Sequence, residues 1–363
     1  MNDVLLTVSG TIDPAVKEKT AQGLRPVADY IAMSEAFNAD LIDFAQAKEA
    51  GGLPGRLIGK IAGNKAMLAW ACFSLRKKYR LIFTDGEQIG IPLALLLKWF
   101  GGKKRPRHLM IVHILSVGKK MRFFDWFGVQ SAIDTFFVYS TWQKKFIETR
   151  WQIPPERVVF TPFMVDDDFF RPGAETGVMT RTELGLSEDP VICAVGLEFR
   201  DYPTLLEAVK GLNVQVMVAA GSPWSKRSDT TQDQEIPANV IVRRFSQLEL
   251  RDVYALSDFV VMPLFNVEFQ AGVTAILEGM AMGKAVICSR TPGQTDILID
   301  QVNGLYAPPE DPEALREAIQ SLLQNRDMAR KMGENGRQRI EDEIGLKHYV
   351  ERLNAYVSPP LKD

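Results

Sequence analysis

The run Glu268-Phe-Gln-Ala-Gly-Val-Thr-Ala-Ile-Leu-Glu-Gly-Met-Ala-Met-Gly283 gathers residue types that hold an anion and a hydroxyl within a short length of chain. Val273, Ile276, Leu277, Met280 and Ala281 recur at helical spacing and predict an amphipathic helix entered at Gly272. Its first turn, Ala271-Gly272-Val273-Thr274, offers backbone N–H groups without intrahelical partners and the positive end of the helix dipole. Thr274 and Glu278 fall together on the edge of the apolar stripe. Phosphate at the helix start and a hydroxyl-binding carboxylate further along would suit a nucleotide-sugar. The alternative is a core helix whose Glu278 faces a loop, and these residues alone leave both readings open.

Other candidates sit where strands are expected to end. His113, one of three histidines, closes a predicted strand over His108–His113. A lone histidine is more often a core residue, but the carboxyl end of a parallel strand is where ligands bind. Asp85 and Glu87 follow the predicted strand Leu81–Thr84 and could line an acceptor. Gly10 and Thr11 lie in the first strand–helix loop, where small residues let a ligand approach the backbone. Asp166-Asp167-Asp168 has carboxylates spaced for Mg²⁺ or Mn²⁺, but it lies in an expected connector, and no metal site is expected there.

These residues require a scaffold of strands alternating with helices. Strands are predicted at Val4–Val8, Leu41–Phe44, Leu81–Thr84, His108–His113 and Thr135–Tyr139. Helices are predicted at Leu24–Phe37, Ile91–Trp99 and Gln143–Arg150. The rhythm breaks between Phe160 and Asp189, where Pro162, Pro172 and Gly173 bracket the aspartates. A second series follows, with strands at Val191–Val195, Val214–Ala220, Val240–Val242, Phe259–Leu264 and Ala285–Ser289. Its helices are expected at Thr204–Lys210, Leu248–Leu256, Pro312–Leu323 and Asp327–Ile340, with a long polar loop over 221–238. The reading is α/β, with two Rossmann-like doubly wound parallel sheets facing across a cleft. The expected boundaries are 1–165, a connector at 166–189, a second domain at 190–345, and a last helix near Leu346–Tyr356.

Composition excludes several classes. With 46% hydrophobic and 24% charged residues, the chain can bury sizeable cores. No apolar run reaches the ~20 residues of a membrane span, and the N-terminus lacks the basic and apolar regions of a signal peptide. Cys72, Cys193 and Cys288 lie far apart without metal spacing, which fits reduced thiols and a cytoplasmic protein. The net charge of −2 hides a division: residues 1–172 carry 24 basic against 17 acidic residues, and the remainder 19 against 28. The cluster Lys119-Lys120-Met121-Arg122 runs into Phe123-Phe124-Asp125-Trp126-Phe127. Cations beside rings suit peripheral contact with an anionic membrane, while the alternative is a solvated basic face with its rings in the core. No nucleic-acid motif accompanies the charge.

The chain resembles the retaining GT-B glycosyltransferases of the large family that includes bacterial mannosyltransferases and sucrose synthase, the glycosyl transferases group 1. The residues that carry the resemblance are Tyr139-Ser140-Thr141-Trp142-Gln143, Pro155-Glu156-Arg157-Val158, Val165-Asp166, Phe170-Arg171-Pro172, Val195-Gly196, Asp201-Tyr202-Pro203-Thr204 and Asn303-Gly304-Leu305-Tyr306, in this order. It implies that the second domain binds a nucleotide-sugar donor and the first an acceptor, a sugar, a lipid-linked molecule or a small molecule. Glu278 matches the second glutamate of a motif of two glutamates and implies a contact to the donor ribose. Gly272, Val273 and Thr274 match the backbone beneath the donor phosphates. The first glutamate falls on Gln270, and His113 matches a histidine placed near the transferred sugar. The family carries an arginine after the glycine matched by Gly196, where Leu197 stands here, so Arg200, Lys226 and Arg227 are candidates to stabilise the diphosphate. Phe245 and Ser246 fall where relatives contact the nucleobase. The last helix is implied to pack on the first domain.

The expected function is sugar transfer from a nucleotide-sugar with retention of anomeric configuration, requiring no metal or other cofactor. A catalytically silent protein of the same fold that binds a nucleotide or glycan is the alternative, and a nucleotide-sugar epimerase is a third reading.

Overall fold

Short apolar runs rich in Val, Ile, Leu and Phe form strands buried on both faces, as a parallel sheet covered by helices demands. The computed structural model describes residues 2–221, 230–231 and 234–357. The chain forms two units: one comprises the chain up to Glu18, Val27–Pro162 and the chain from Lys347 on, the other Lys19–Pro26 and Phe163–Leu346.

In the first unit, β1 (Val4–Thr7), β2 (Ala39–Ile42), β3 (Leu81–Thr84), β4 (Arg107–Val112), β5 (Thr135–Val138) and β6 (Val158–Phe160) form one parallel sheet. Its order is β2-β1-β3-β4-β5-β6, so the winding reverses between β1 and β3. Helix α1 spans Val16–Ala21 and α2 Asp29–Phe37, shorter than the expected Leu24–Phe37. Pro26 explains the difference: it lacks an N–H and biases Arg25 away from helical geometry. β2 stops at Ile42, before the expected Phe44. Asp43 instead caps α3 (Phe44–Ala50) in a capping box with Gln46.

Helices α4 (Gly52–Ala62) and α5 (Asn64–Leu75) complete a helical stretch that the spans read from the sequence do not include. On α4 the side facing α5 is glycine: a Cβ on Gly55 would lie 3.2 Å from Trp70, and one on Gly59 3.0 Å from Met67. The helices α6 (Glu87–Phe100), α7 (Gly118–Phe127) and α8 (Thr141–Trp151) follow. Ser140 caps α8 by accepting from the Gln143 N–H, which starts the helix two residues before the expected Gln143.

The second unit holds β7 (Val191–Val195), β8 (Gln215–Ala219), β9 (Val240–Arg243), β10 (Phe259–Met262), β11 (Ala285–Ser289) and β12 (Gly304–Ala307), again all parallel. The order β12-β11-β10-β7-β8-β9 reverses between β7 and β10. Its helices are α9 (Tyr202–Val209), α10 (Gln247–Leu256), α11 (Val273–Ala281), α12 (Pro312–Gln324) and α13 (Arg326–Arg339). Helix α11 packs so closely on β10 that a Cβ at Gly279 would meet Val260 at 2.7 Å.

The last helix, α14 (Leu346–Val357), lies almost wholly in the first unit. Tyr349 meets the hydroxyl of Tyr139 at 3.1 Å, and Arg352 donates to Thr161 at 3.1 Å. The Tyr356 ring stands edge-on to Phe137.

Candidate active site

A reversal of strand order leaves a crevice at the carboxyl ends of the two strands flanking it, and such crevices hold ligands in doubly wound sheets. Each unit has one, and each is occupied by candidate residues.

In the second unit the crevice lies beyond β7 and β10. The two loops are tied together: Asp201 N–H donates to Pro263 O at 3.0 Å, and Phe265 N–H to Phe199 O at 3.2 Å. Gly196 turns out of β7 with φ +106°, and its carbonyl accepts from the Tyr202 hydroxyl. Phe199 adopts φ +59°, an uncommon conformation for a bulky residue, and its ring stands edge-on to Phe269 at 4.7 Å. This turn delivers Arg200 beneath the loop. Its Nε donates to Val195 O and one terminal nitrogen to Glu198 O, each at 2.8 Å. Burial pulls its pKa down.

The guanidinium fills the space left by two missing side chains. A Cβ on Gly196 would run into it, and one on Gly272 would sit 3.2 Å from it. Gly272 holds φ +77° at the start of α11, with no side-chain cap, so the first N–H groups of the helix are available to an acceptor. Arg200 therefore stands beside that helix N-terminus, which brings two positive features together.

Val273 is buried in the core. Thr274 is exposed, whereas Glu278 has turned inward and is 8% exposed. Glu278 accepts from the Tyr254 hydroxyl at 2.8 Å. Burial pushes its pKa up to about 7, against the opposing pull of that hydrogen bond and of Arg200. Gln270 has both side-chain amide atoms buried and neither hydrogen-bonded among the described residues. A buried polar atom left unpaired costs about 1–3 kcal/mol, so Gln270 is held ready for a partner. The loop behind it is fixed by Gln294, whose amide donates to Ala271 O.

Other expected donor residues differ in place. Phe245 is half-buried against the core, with the Arg243 guanidinium 5.5 Å from its ring. Ser246 caps α10, its hydroxyl accepting from the Glu249 N–H and its own N–H donating to the Glu249 carboxylate at 2.7 Å. Lys226 and Arg227 lie outside the described residues.

In the first unit the crevice lies beyond β1 and β3. Asp85 bridges the two strands, accepting from Thr7 Oγ1 at 2.5 Å and from Ser9 N–H at 2.6 Å. Burial raises its pKa, against hydrogen bonds from Thr7 and Ser9 and the charge of His113. His113, just past β4, is exposed; its Nε2 lies 3.0 Å from Asp85 O and its ring 5.5 Å from that of Tyr139. Glu87 accepts the His113 N–H at 2.9 Å and the Lys120 ammonium at 2.5 Å. Burial alone would raise the Glu87 pKa, but the His113 and Lys120 charges and their hydrogen bonds hold it below its ordinary value. Gly10 leaves open space where a Cβ would stand, and Thr11 beside it is exposed.

Sequence reasoning missed Asp29, Tyr254, Phe199 and Gln294. Asp29 opens α2 and feels the charges of Asp85 and His113, with burial raising its pKa. An acid in a first helical turn was its only signal, and helix dipoles explain most such acids. His108, by contrast, is a core residue bonded to Thr84 at 3.1 Å, its pKa drawn down by burial to about 4. Of the aspartate triplet, Asp166 is engaged in its own turn, accepting the Asp168 and Phe169 N–H groups.

Comparison with known proteins agrees with this architecture. Residues 182–339 match the family described as glycosyl transferases group 1. O-antigen chain mannosyltransferase C of Escherichia coli is 30% identical over 164 residues, 44% of this chain and 43% of that one. The matches span less than half the length of the first curated relatives. The fold extends further. A sucrose-phosphate synthase from Thermosynechococcus elongatus superposes with a TM-score of 0.72 at 19% identity, over 97% of each chain. The Anabaena protein HepE, solved in complex with UDP-glucose, superposes with a TM-score of 0.72 at 13% identity over 98% of each. With two parallel doubly wound sheets the chain has the GT-B fold, and most of its second unit, residues 182–339, matches the glycosyl transferases group 1 family.

Proposed function

We propose that this protein transfers a sugar from a nucleotide-sugar donor to an acceptor, retaining the anomeric configuration and using no metal. The observation that carries the reading is the meeting of Arg200, the uncapped N-terminus of α11 and Glu278 in one crevice. The donor diphosphate would take the N–H groups after Gly272 and the Arg200 guanidinium, while Glu278 would accept from the ribose hydroxyls. Gln270, with its unpaired amide, would meet the transferred sugar. The bond from the anomeric carbon to the leaving phosphate oxygen breaks, and the acceptor oxygen bonds on the same face. The acceptor proton passes to the departing phosphate oxygen. The positive end of α11 and Arg200 stabilise the charge that builds on the diphosphate, so the step needs no carboxylate nucleophile. His113 and Asp85 would line the acceptor side.

HepE was solved with UDP-glucose, which makes UDP-sugars the first donors to try. A cytoplasmic location is favoured by three free, buried cysteines. The test is a panel of UDP-, GDP- and ADP-sugars read by thermal shift, with products analysed by NMR for anomeric configuration, with and without EDTA. One donor should raise the melting temperature and yield a retained product in both conditions. An inverted product, or transfer lost with EDTA, overturns the corresponding part of the proposal. The replacement of a glutamate by Gln270 favours one second reading, a binding protein without turnover, which would show a thermal shift and no product.

A further inference from the structure

Helix α4 is built inside out. Gly55 and Gly59 press against α5, and on the opposite side Leu53, Leu57 and Ile61 form an apolar ridge at helical spacing, 79%, 59% and 79% exposed. Beside this ridge the first unit holds a groove of about 390 Å³, a volume typical of ligand pockets. Ile58, Trp70, Ile91, Leu95, Leu96 and Phe123 make its apolar walls. Its only acidic lining residue is Glu87, paired with Lys120, and the same Glu87 carboxylate holds the His113 N–H. On its far side the Phe127 ring touches those of Trp99 and Phe123, and all three reach solvent, with Trp126 70% exposed nearby. Exposed apolar surface on this scale marks an interaction site.

Charge indicates the partner. Helices α4, α6 and α7 carry six basic residues (Arg56, Lys60, Lys98, Lys119, Lys120 and Arg122) against two acidic ones. Both acids are neutralised within the unit, Glu87 by Lys120 and Asp125 by Arg150. Apolar ridge, aromatic rim and unopposed cations together match an anionic bilayer surface. We propose that the groove between α4, α5, α6 and α7 holds one acyl chain of an anionic membrane lipid, and that the ridge and the aromatic rim seat this unit in the head-group layer. Because Glu87, whose carboxylate holds the His113 N–H, lines the groove, the bound lipid is the sugar acceptor, a clause that rests on the transferase reading above.

The test uses the full chain with no donor present, so its failure is separate from failure of the transferase reading, which the nucleotide-sugar panel decides on the same sample. Sedimentation with phosphatidylcholine vesicles, with and without phosphatidylglycerol, should show binding at least ~tenfold tighter to the anionic vesicles. Leu57→Glu combined with Ile61→Glu should weaken that binding by at least ~tenfold with an unchanged melting temperature, since neither side chain is in the core. Vesicles with brominated acyl chains should quench tryptophan fluorescence, and Trp70→Phe should remove part of the quenching. Leu95→Arg, which puts a cation in the half-buried wall of the groove, should remove the same part, with circular dichroism confirming its fold. Absence of vesicle binding, equal binding by the double variant, or quenching indifferent to Trp70 and Leu95 would each overturn the proposal. Self-association or a protein partner on the ridge, with no vesicle binding, overturns it as well.

Discussion

Glu278→Gln isolates the carboxylate on which donor recognition turns. Burial lifts the Glu278 pKa from 4.5 to about 7. An acid whose pKa is higher in the folded state binds protons more tightly there than when unfolded. Its contribution is therefore most favourable below pH 4.5, declines as pH rises, and levels off above the folded value of about 7. Each unit of pKa shift is worth ~1.36 kcal/mol, so the whole shift costs about 3 kcal/mol of stability at alkaline pH. With Glu278 only 8% exposed, little of this is lost to solvent screening. Glutamine keeps an oxygen for the Tyr254 hydroxyl but cannot ionise. Urea unfolding at about pH 5 and about pH 8 should show the stability advantage of Glu278→Gln over wild type growing by ~2–3 kcal/mol towards the higher pH. Nucleotide affinity should carry the mirror image. The carboxylate accepts ribose hydroxyls best when ionised, so wild-type affinity should rise several-fold, up to about tenfold, from pH 6 to pH 8, and the variant's should stay flat. Parallel stability profiles for the two proteins would refute the burial argument. A flat wild-type affinity profile would refute the ribose contact.

Four further outcomes follow from the same geometry. Gln270→Leu should raise the stability of the free protein by about 1 kcal/mol, because it removes two unpaired buried atoms, while abolishing transfer; chemical denaturation and product assays read the two effects. Gly272→Ala should cost about 1–3 kcal/mol and weaken diphosphate binding, since φ +77° and contact with Arg200 both resist a side chain. Lys120→Met strands the buried Glu87 charge and should destabilise by ~3–5 kcal/mol at neutral pH, with recovery as acid protonates Glu87. His113→Ala should lower transfer with nucleotide affinity unchanged in calorimetry, because its contacts lie in the first unit; a matching loss of affinity would remove it from the acceptor side.

The legible part of this protein was its repetition. β7 and β11 have the spans read from the sequence, Val191–Val195 and Ala285–Ser289, because short, almost wholly apolar runs containing Val and Ile favour a buried parallel strand. The family pattern and the glycine-entered helix α11 were readable for the same reason: backbone conformations that need glycine, and phosphates that need free N–H groups, constrain local sequence. Contacts between distant segments left no such mark. Tyr254, far from Glu278 in sequence, fixes its carboxylate only because the fold brings the hydroxyl on α10 to the side of α11. Arg200 becomes part of the site because two glycines, at 196 and 272, vacate the space for its guanidinium. Helix α4 has its apolar residues at helical spacing but packs Gly55 and Gly59 against α5 and exposes Leu53, Leu57 and Ile61, so the pattern does not reveal the buried face; close packing of two helices rewards small side chains at the contact. Sequence thus determined the alternation of strands and helices, most of the strands, and which residues stand at their ends. Only tertiary structure decided which of them meet, because burial, pKa and unpaired hydrogen-bonding groups depend on neighbours that the chain brings together when it folds.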